Sequence, residues 1–313
     1  MAEGSVRVVL AALGGNLAIA VTKFAAFFIT RSTAMLTEAI HSLVDTADQV
    51  LLLIGQKRSS REANARHPFG YGMEAYFWSF IVALMIFLVG GAVSVWEGVE
   101  KLLRPGEIDR PWINLVVLGV SAAFESFSFR VAYGEFRHVV RGRQIRLFRY
   151  LRLSKDPNVF ATLLEDGAAL IGLALAALGV AGSAYFGLPW ADGAASIAIG
   201  LLLILVAVFL ANETRSLIAG EAAAPDIVAR ARETAVADPA VESVLQVASL
   251  HLGPRSILMA LTLKFRSGLS GDEIQAAAEA LTEKVRAADP RIGGVFLRPG
   301  LPRTQQGDPL TGS

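Results

Sequence analysis

The sequence predicts a polytopic α-helical membrane protein with six transmembrane helices, followed by a small C-terminal α+β domain. Three observations carry this. The 313 residues are 53% hydrophobic and only 18% charged, less charge than a water-soluble chain of this length carries. Six stretches, at 6–29, 33–55, 76–99, 112–134, 160–187 and 193–212, offer the roughly 20 mostly apolar residues that cross a bilayer. After Glu213 the pattern changes to amphipathic helices and short runs of Val, Leu and Ile, as in a compact water-facing domain.

The elements follow in order. The first residues lack the charged stretch and small-residue cleavage site of a secretory signal, so the first span is expected to be retained. Lys23 falls inside it and must either snorkel to an interface or pair with an acid. The second span carries Glu38, His41, Asp45 and Asp48. Tyr76–Trp96 and Gly167–Ala191 contain no charge at all, whereas Glu125 and Arg130 interrupt the fourth span.

Basic residues collect after the second span, at Lys57, Arg58, Arg61 and Arg66, and after the fourth, from Arg137 to Lys155. By the positive-inside rule both loops and both termini are cytoplasmic, and a bacterial inner membrane is the expected location. The run 137–155 interleaves Ile145, Leu147, Phe148 and Tyr150 with arginines. It reads first as a topology signal and second as a segment lying on the lipid surface.

The C-terminal part reads helix (Asp226–Val236), strand (Val241–Leu252), strand (Ser256–Phe265), helix (Gly271–Ala288), strand (Ile292–Leu297). That order packs helices on one face of a sheet. The domains are expected at 1–215 and 216–299, with a disordered tail at 300–313 rich in Pro, Gly, Gln and Thr.

Composition narrows the chemistry. A net charge of +1 leaves no basic face for nucleic acid. With no cysteine, disulfides and thiolate metal sites are excluded, so a metal site must use His, Asp, Glu or backbone oxygen. No prosthetic group is expected.

A charge at the bilayer centre costs roughly 2.5–3.5 kcal/mol on insertion scales, so intramembrane ionisable residues are functional candidates by default. His41 and Asp45 lie four residues apart, on one helix face. Glu38 and Asp48 extend the same polar ridge and read as structural members near its ends. On the fifth span Asp166 and Glu165 are adjacent and point about 100° apart, so one of them faces the ridge. Thr162 shares the face of Asp166. His41, Asp45 and Asp166 give three ligands, and Glu165, Thr162 or water supplies a fourth, a set that suits Zn²⁺ and also Fe²⁺, Co²⁺ or Mn²⁺. Asn16, mid-way in the first span, and Glu38 either border an ion route or bond between helices. Glu125 reads first as pairing with Arg130 or Lys23, and second as bordering that route or carrying a proton.

The chain resembles the cation diffusion facilitator family of divalent-metal transporters over about residues 8–298. The resemblance rests on Met35-Leu36-Thr37-Glu38-Ala39-Ile40-His41-Ser42-Leu43-Val44-Asp45-Thr46, on His67-Pro68-Phe69-Gly70-Tyr71-Gly72-Met73-Glu74 and on Leu164-Glu165-Asp166-Gly167. Asp192-Gly193-Ala194-Ala195-Ser196, Ile199-Gly200 and His251-Leu252-Gly253-Pro254 extend it. It implies a homodimer of six-helix protomers with cytoplasmic ferredoxin-like domains, exporting a divalent metal, Zn²⁺ foremost, in exchange for protons by alternating access. It also implies that His41, Asp45 and Asp166 are metal ligands. Where the family usually has His or Asp four residues before the fifth-helix aspartate, this chain has Thr162, so it resembles the subgroup with Glu-Asp there. His67 matches a loop position where some members bind a peripheral metal, although Tyr71 replaces a histidine of that site. His251 alone makes no metal-binding tail.

Two rival readings remain at this level. An intramembrane metallohydrolase needs surplus catalytic groups around the metal, and no His-Glu-x-x-His pattern occurs. A non-transporting metal-binding or sensing dimer would keep the ligands and move nothing.

Overall fold

The computed structural model describes residues 2–30, 33–104, 110–140 and 156–300. Long helices come first: α1 (Ala2–Thr30), α2 (Thr33–Ser59), α3 (Glu74–Leu103), α4 (Pro111–Val140), α5 (Pro157–Tyr185) and α6 (Ala191–Gly220). All but α2 are apolar and long enough to cross a membrane by composition alone. Helix α2 is as long, but its polar ridge dilutes the apolar signal.

Local chemistry sets the ends. Pro157 occupies the first turn of α5, where a missing N–H costs nothing, and the Asp156 side chain accepts from the Asn158 N–H. Helix α6 stops at Gly220, whose φ of +104° few other residues adopt. Inside α3, Ile86–Ala92 winds as a π-helix between two α-helical lengths. There the Val93 N–H reaches back to the Leu88 carbonyl and passes over that of Val89, its ordinary α-helical partner.

Helix α1 packs against α2, α4 and α5; α4 packs on α5, and α2 on α3. The buried centre includes Val8, Val9, Leu52, Tyr76, Phe160 and Leu210. Leu17, Val21, Trp96, Val116, Leu178 and Leu205 are exposed, the outward apolar surface that lipid covers.

Helix α6 is held by glycines. A Cβ built on Gly98 would lie 2.7 Å from the Ile197 nitrogen and 2.8 Å from the Gly193 carbonyl oxygen. One on Gly200 would lie 2.8 Å from the Gly91 carbonyl oxygen. Gly91 and Gly98 on α3 thus meet Gly193 and Gly200 on α6 with the same seven-residue spacing, the small-residue contact that lets membrane helices approach closely.

The chain divides into two compact units, one of residues 1–62 and 73–218, the other of 63–72 and 219–313. In the second, α7 (Pro225–Val236), β1 (Val241–Gly253), β2 (Ser256–Phe265), α8 (Gly271–Ala288) and β3 (Ile292–Pro299) follow in turn. The sheet order is β1-β2-β3. Strands β1 and β2 form an antiparallel hairpin, while β2 and β3 run parallel, which requires the crossover that α8 makes. Ile257, Met259, Leu261 and Leu263 alternate inward along β2 and meet Ile227, Ala231, Leu281 and Val285 of the two helices. Helix α8 opens with a capping box between Ser270 and Glu273, which satisfies two of its otherwise unpaired N–H groups. These elements coincide with the expected helix–strand–strand–helix–strand order to within a few residues.

The loop between α2 and α3 contributes residues 63–72 to this second unit. Phe69 meets Phe296 edge-on with ring centroids 6.4 Å apart. A Cβ on Gly72 would fall 2.3 Å from the Leu252 carbonyl oxygen, so only glycine allows this backbone approach. The sequence marks this stretch as a basic connection and as part of the family resemblance, and not as part of the C-terminal unit. Most of the basic run 137–155 and all of the tail beyond residue 300 lie outside the described residues.

Candidate metal site

Helix geometry aims the α2 ridge inward. Asp45 and Asp48 are one turn apart, and Gln49 follows Asp45 by four, so the three side chains share a face. From α5 comes Glu165. One carboxylate oxygen from each of Asp45, Asp48 and Glu165 lies within 4.8 Å of the others. Asp48 is 1% exposed and Glu165 is 9% exposed. Asp45 is only partly buried; three carboxylates this close repel one another, and a shared metal ion or protons relieves that repulsion.

The hydrogen bonds leave that side of the site open. Gln49 Nε2 donates to Glu165 Oε2 at 2.8 Å. Asp48 Oδ1, Glu165 Oε1 and Gln49 Oε1 are buried and have no hydrogen-bond partner among the described residues. Buried polar atoms are nearly always paired, and several unpaired oxygens in one place have the chemistry to take up a cation. Thr162 Oγ1, one turn before Asp166, is also buried and unpaired among the described residues.

His41 and Asp166, two of the expected ligands, take other partners here. His41 Nε2 lies 2.8 Å from the Val89 carbonyl oxygen. A carbonyl only accepts, so Nε2 carries the proton and the lone pair of a neutral ring sits on Nδ1. The π-helical stretch of α3 supplies that carbonyl. Asp166 Oδ2 accepts from Ser128 Oγ of α4 at 2.6 Å. Second-partner hydrogen bonds of this kind orient ligating side chains in metal sites.

The other candidates sit apart. Lys23 pairs with an acid, donating to Glu38 Oε2 at 2.9 Å, which ties Glu38 to α1. Asn16 is buried on α1. Glu125 is buried with Oε2 unpaired among the described residues, while Lys23, one of its expected partners, is engaged by Glu38. In the loop, the His67 and Tyr71 rings meet tilted by 52° with centroids 4.2 Å apart, and Asn64 Nδ2 donates to the Tyr71 hydroxyl. His251 is buried in the second unit.

Sequence reasoning places Asp48 among the structural residues and passes over Gln49. The available signal was the helical register: 41, 45, 48 and 49 follow an i, i+4, i+7, i+8 course, one continuous stripe.

The family model for the cation efflux transmembrane domain matches residues 9–219. The chain is 33% identical over 251 residues to the mitochondrial proton-coupled zinc antiporter SLC30A9 of Homo sapiens, covering 80% of this chain and 44% of that protein. It is 31% identical over 263 residues to metal tolerance protein C4 of Arabidopsis thaliana, covering 84% of this chain and 58% of that one. It is 29% identical over 251 residues to magnetosome protein MamM of Paramagnetospirillum magneticum, covering 77% and 71%. The chain spans about half the length of the curated zinc antiporters it matches.

Proposed function

This chain belongs to the cation efflux family, and we propose that it moves divalent metal, zinc foremost, across a membrane in exchange for protons. The observation that carries this reading is the Asp45–Asp48–Glu165 cluster, in which Asp48 and Glu165 are buried and hold unpaired oxygens. The proton-coupled zinc antiport of the SLC30A9 relatives supports both the metal and the driving ion.

In this reading Asp45, Asp48 and Glu165 receive the ion. His41 joins through Nδ1, its ring held by the Val89 carbonyl. Asp166, oriented by Ser128, and Thr162 complete the set as the helices move. Carboxylate and imidazole ligands bind metal only when deprotonated, so loading the ion expels protons, and protons arriving from the far side expel the ion. Alternating exposure of one such site to the two faces gives exchange without a continuous pore. The lysines and arginines that follow α2 and α4 in the sequence support a cytoplasmic side for those loops and both termini. The family resemblance supports a homodimer.

The test is zinc flux into sealed proteoliposomes under an imposed pH gradient. Wild-type protein is expected to carry zinc faster when the gradient is imposed and to move protons the opposite way. Asp48→Asn and Glu165→Gln, each of which removes a ligand charge, are expected to lower flux at least ~100-fold, beyond what loss of an outer partner costs. Native flux in both variants overturns the site; absence of flux in wild type overturns the transport reading in favour of a metal-binding scaffold.

A further inference from the structure

Gln49 is fully buried on α2, carries no charge, and would be passed over in a search for metal ligands. Its amide nevertheless governs what Glu165 can offer. Nε2 donates to Glu165 Oε2 at 2.8 Å, which fixes the carboxylate's orientation and leaves Oε1, unpaired among the described residues, as its oxygen with no competing hydrogen bond. We propose that Gln49 is a specificity-determining positioning residue that holds Glu165 to single-oxygen coordination and so favours zinc over larger, oxygen-seeking divalent ions. This deepens the metal-transport reading and rests on it.

The physical argument is one of ligand count. Zinc is content with about four ligands, whereas manganese takes about six oxygens and accepts bidentate carboxylates readily. A cage of three carboxylates can supply three to six oxygens, depending on how many bind through both. Pinning one oxygen of Glu165 removes the easiest route to the higher number. A neutral amide is well matched to this role, because it donates to the carboxylate yet adds no positive charge to repel the incoming cation. A lysine or arginine there would hold Glu165 equally well and cancel the charge that attracts the ion. Gln49 Oε1, also buried and without a hydrogen-bond partner among the described residues, remains as a neutral oxygen at the edge of the cage.

Zinc and manganese affinities are measured by calorimetry on purified full-length protein for wild type, Gln49→Met and Asp48→Asn. Methionine keeps the length of glutamine and removes the donor. The expected result for Gln49→Met is zinc affinity weakened about tenfold, the lower end for loss of a ligand's outer partner, with manganese affinity unchanged or raised. The zinc-to-manganese ratio then drops by about tenfold or more. A residue that only supports packing would weaken both metals alike, so an unchanged ratio overturns the proposal. Where Gln49→Met does not fold, Gln49→Leu, which also removes the donor and adds no ligating oxygen, is read by the same ratio. Should neither fold, zinc-edge X-ray absorption of the wild-type protein decides, since about four light-atom neighbours are expected and six overturn it. Asp48→Asn separates the two readings. If it loses zinc while Gln49→Met keeps the wild-type ratio, only the role of Gln49 falls; if it binds zinc as wild type does, the site and the proposal fall together.

Discussion

Asp289, at the end of α8, shows what a carboxylate does when its partners are fixed cations and not a passing ion. It accepts from Arg291 Nε and Nη2, both at 2.9 Å, and from Arg230 Nη2 at 2.7 Å. The hydrogen bonds from Arg291 are the main cause that holds its pKa down, to about 2. The folded state thus prefers the ionised form. The stabilisation is complete above the ordinary carboxylate value near 4 and disappears as pH falls toward 2. Asp289→Asn is expected to remove about 1–2 kcal/mol at neutral pH, less than full linkage gives because the arginines face solvent in part. Hydrogen exchange of β3 in the full-length protein measures it: the variant should exchange faster at pH 7, and the gap should close as pH falls below about 4. The membrane carboxylates Asp45, Asp48 and Glu165 form no salt bridge among the described residues. They lie close to one another, and Gln49 donates to Glu165, an arrangement that holds a cation and can also let it go.

At the scale of the element, two features decide how the site is framed. The π-helical stretch of α3 offers a carbonyl to His41 that a regular helix would have used for itself. The paired glycines of α3 and α6 bring those two backbones together. A side chain at Gly98 meets backbone atoms at 2.7–2.8 Å, and backbone inside two packed helices has nowhere to go. Gly98→Val is therefore expected to destabilise the protein by about 1–3 kcal/mol, the usual penalty for overpacking. Gly119→Ala on α4, with nothing within 4 Å of the added carbon, is expected to stay within about 1 kcal/mol of wild type. Thermal unfolding in detergent compares the two; equal losses would show that the α3–α6 contact is looser than the glycines indicate.

For the whole molecule, the segment 63–72 invites a functional test, because it continues directly from α2 at one end and into α3 at the other. It packs with the C-terminal unit through Phe69 on Phe296 and the close approach of Gly72 to Leu252 and Gly253. Any rearrangement of the helix ends that moves this segment must strain or release those contacts. Gly72→Val is expected to force the two backbones apart and slow zinc flux severalfold, while zinc affinity stays at the wild-type value. Flux equal to wild type, with the variant folded, would mean that the segment carries no coupling.

The helices and strands were legible in the sequence because each depends on a local pattern: apolar runs of bilayer length, alternation along β2, a capping box at Ser270. The candidate chemistry was legible in kind, since acids and a histidine inside apolar runs demand a cation or a partner. Membership of the cage was another matter. Asp48 looked like an end-of-helix residue and Gln49 like none in particular, because their significance depends on where α5 places Glu165. His41 and Asp166, foremost in the sequence, are here held by Val89 and Ser128, contacts between helices distant in the chain. The order of residues therefore determined the elements and the type of ligand, through periodicity and the cost of charge in lipid. Only the packing of α2 against its neighbours decided which oxygens stand together, because distances between separate helices are set by side-chain and backbone fit that no single segment encodes.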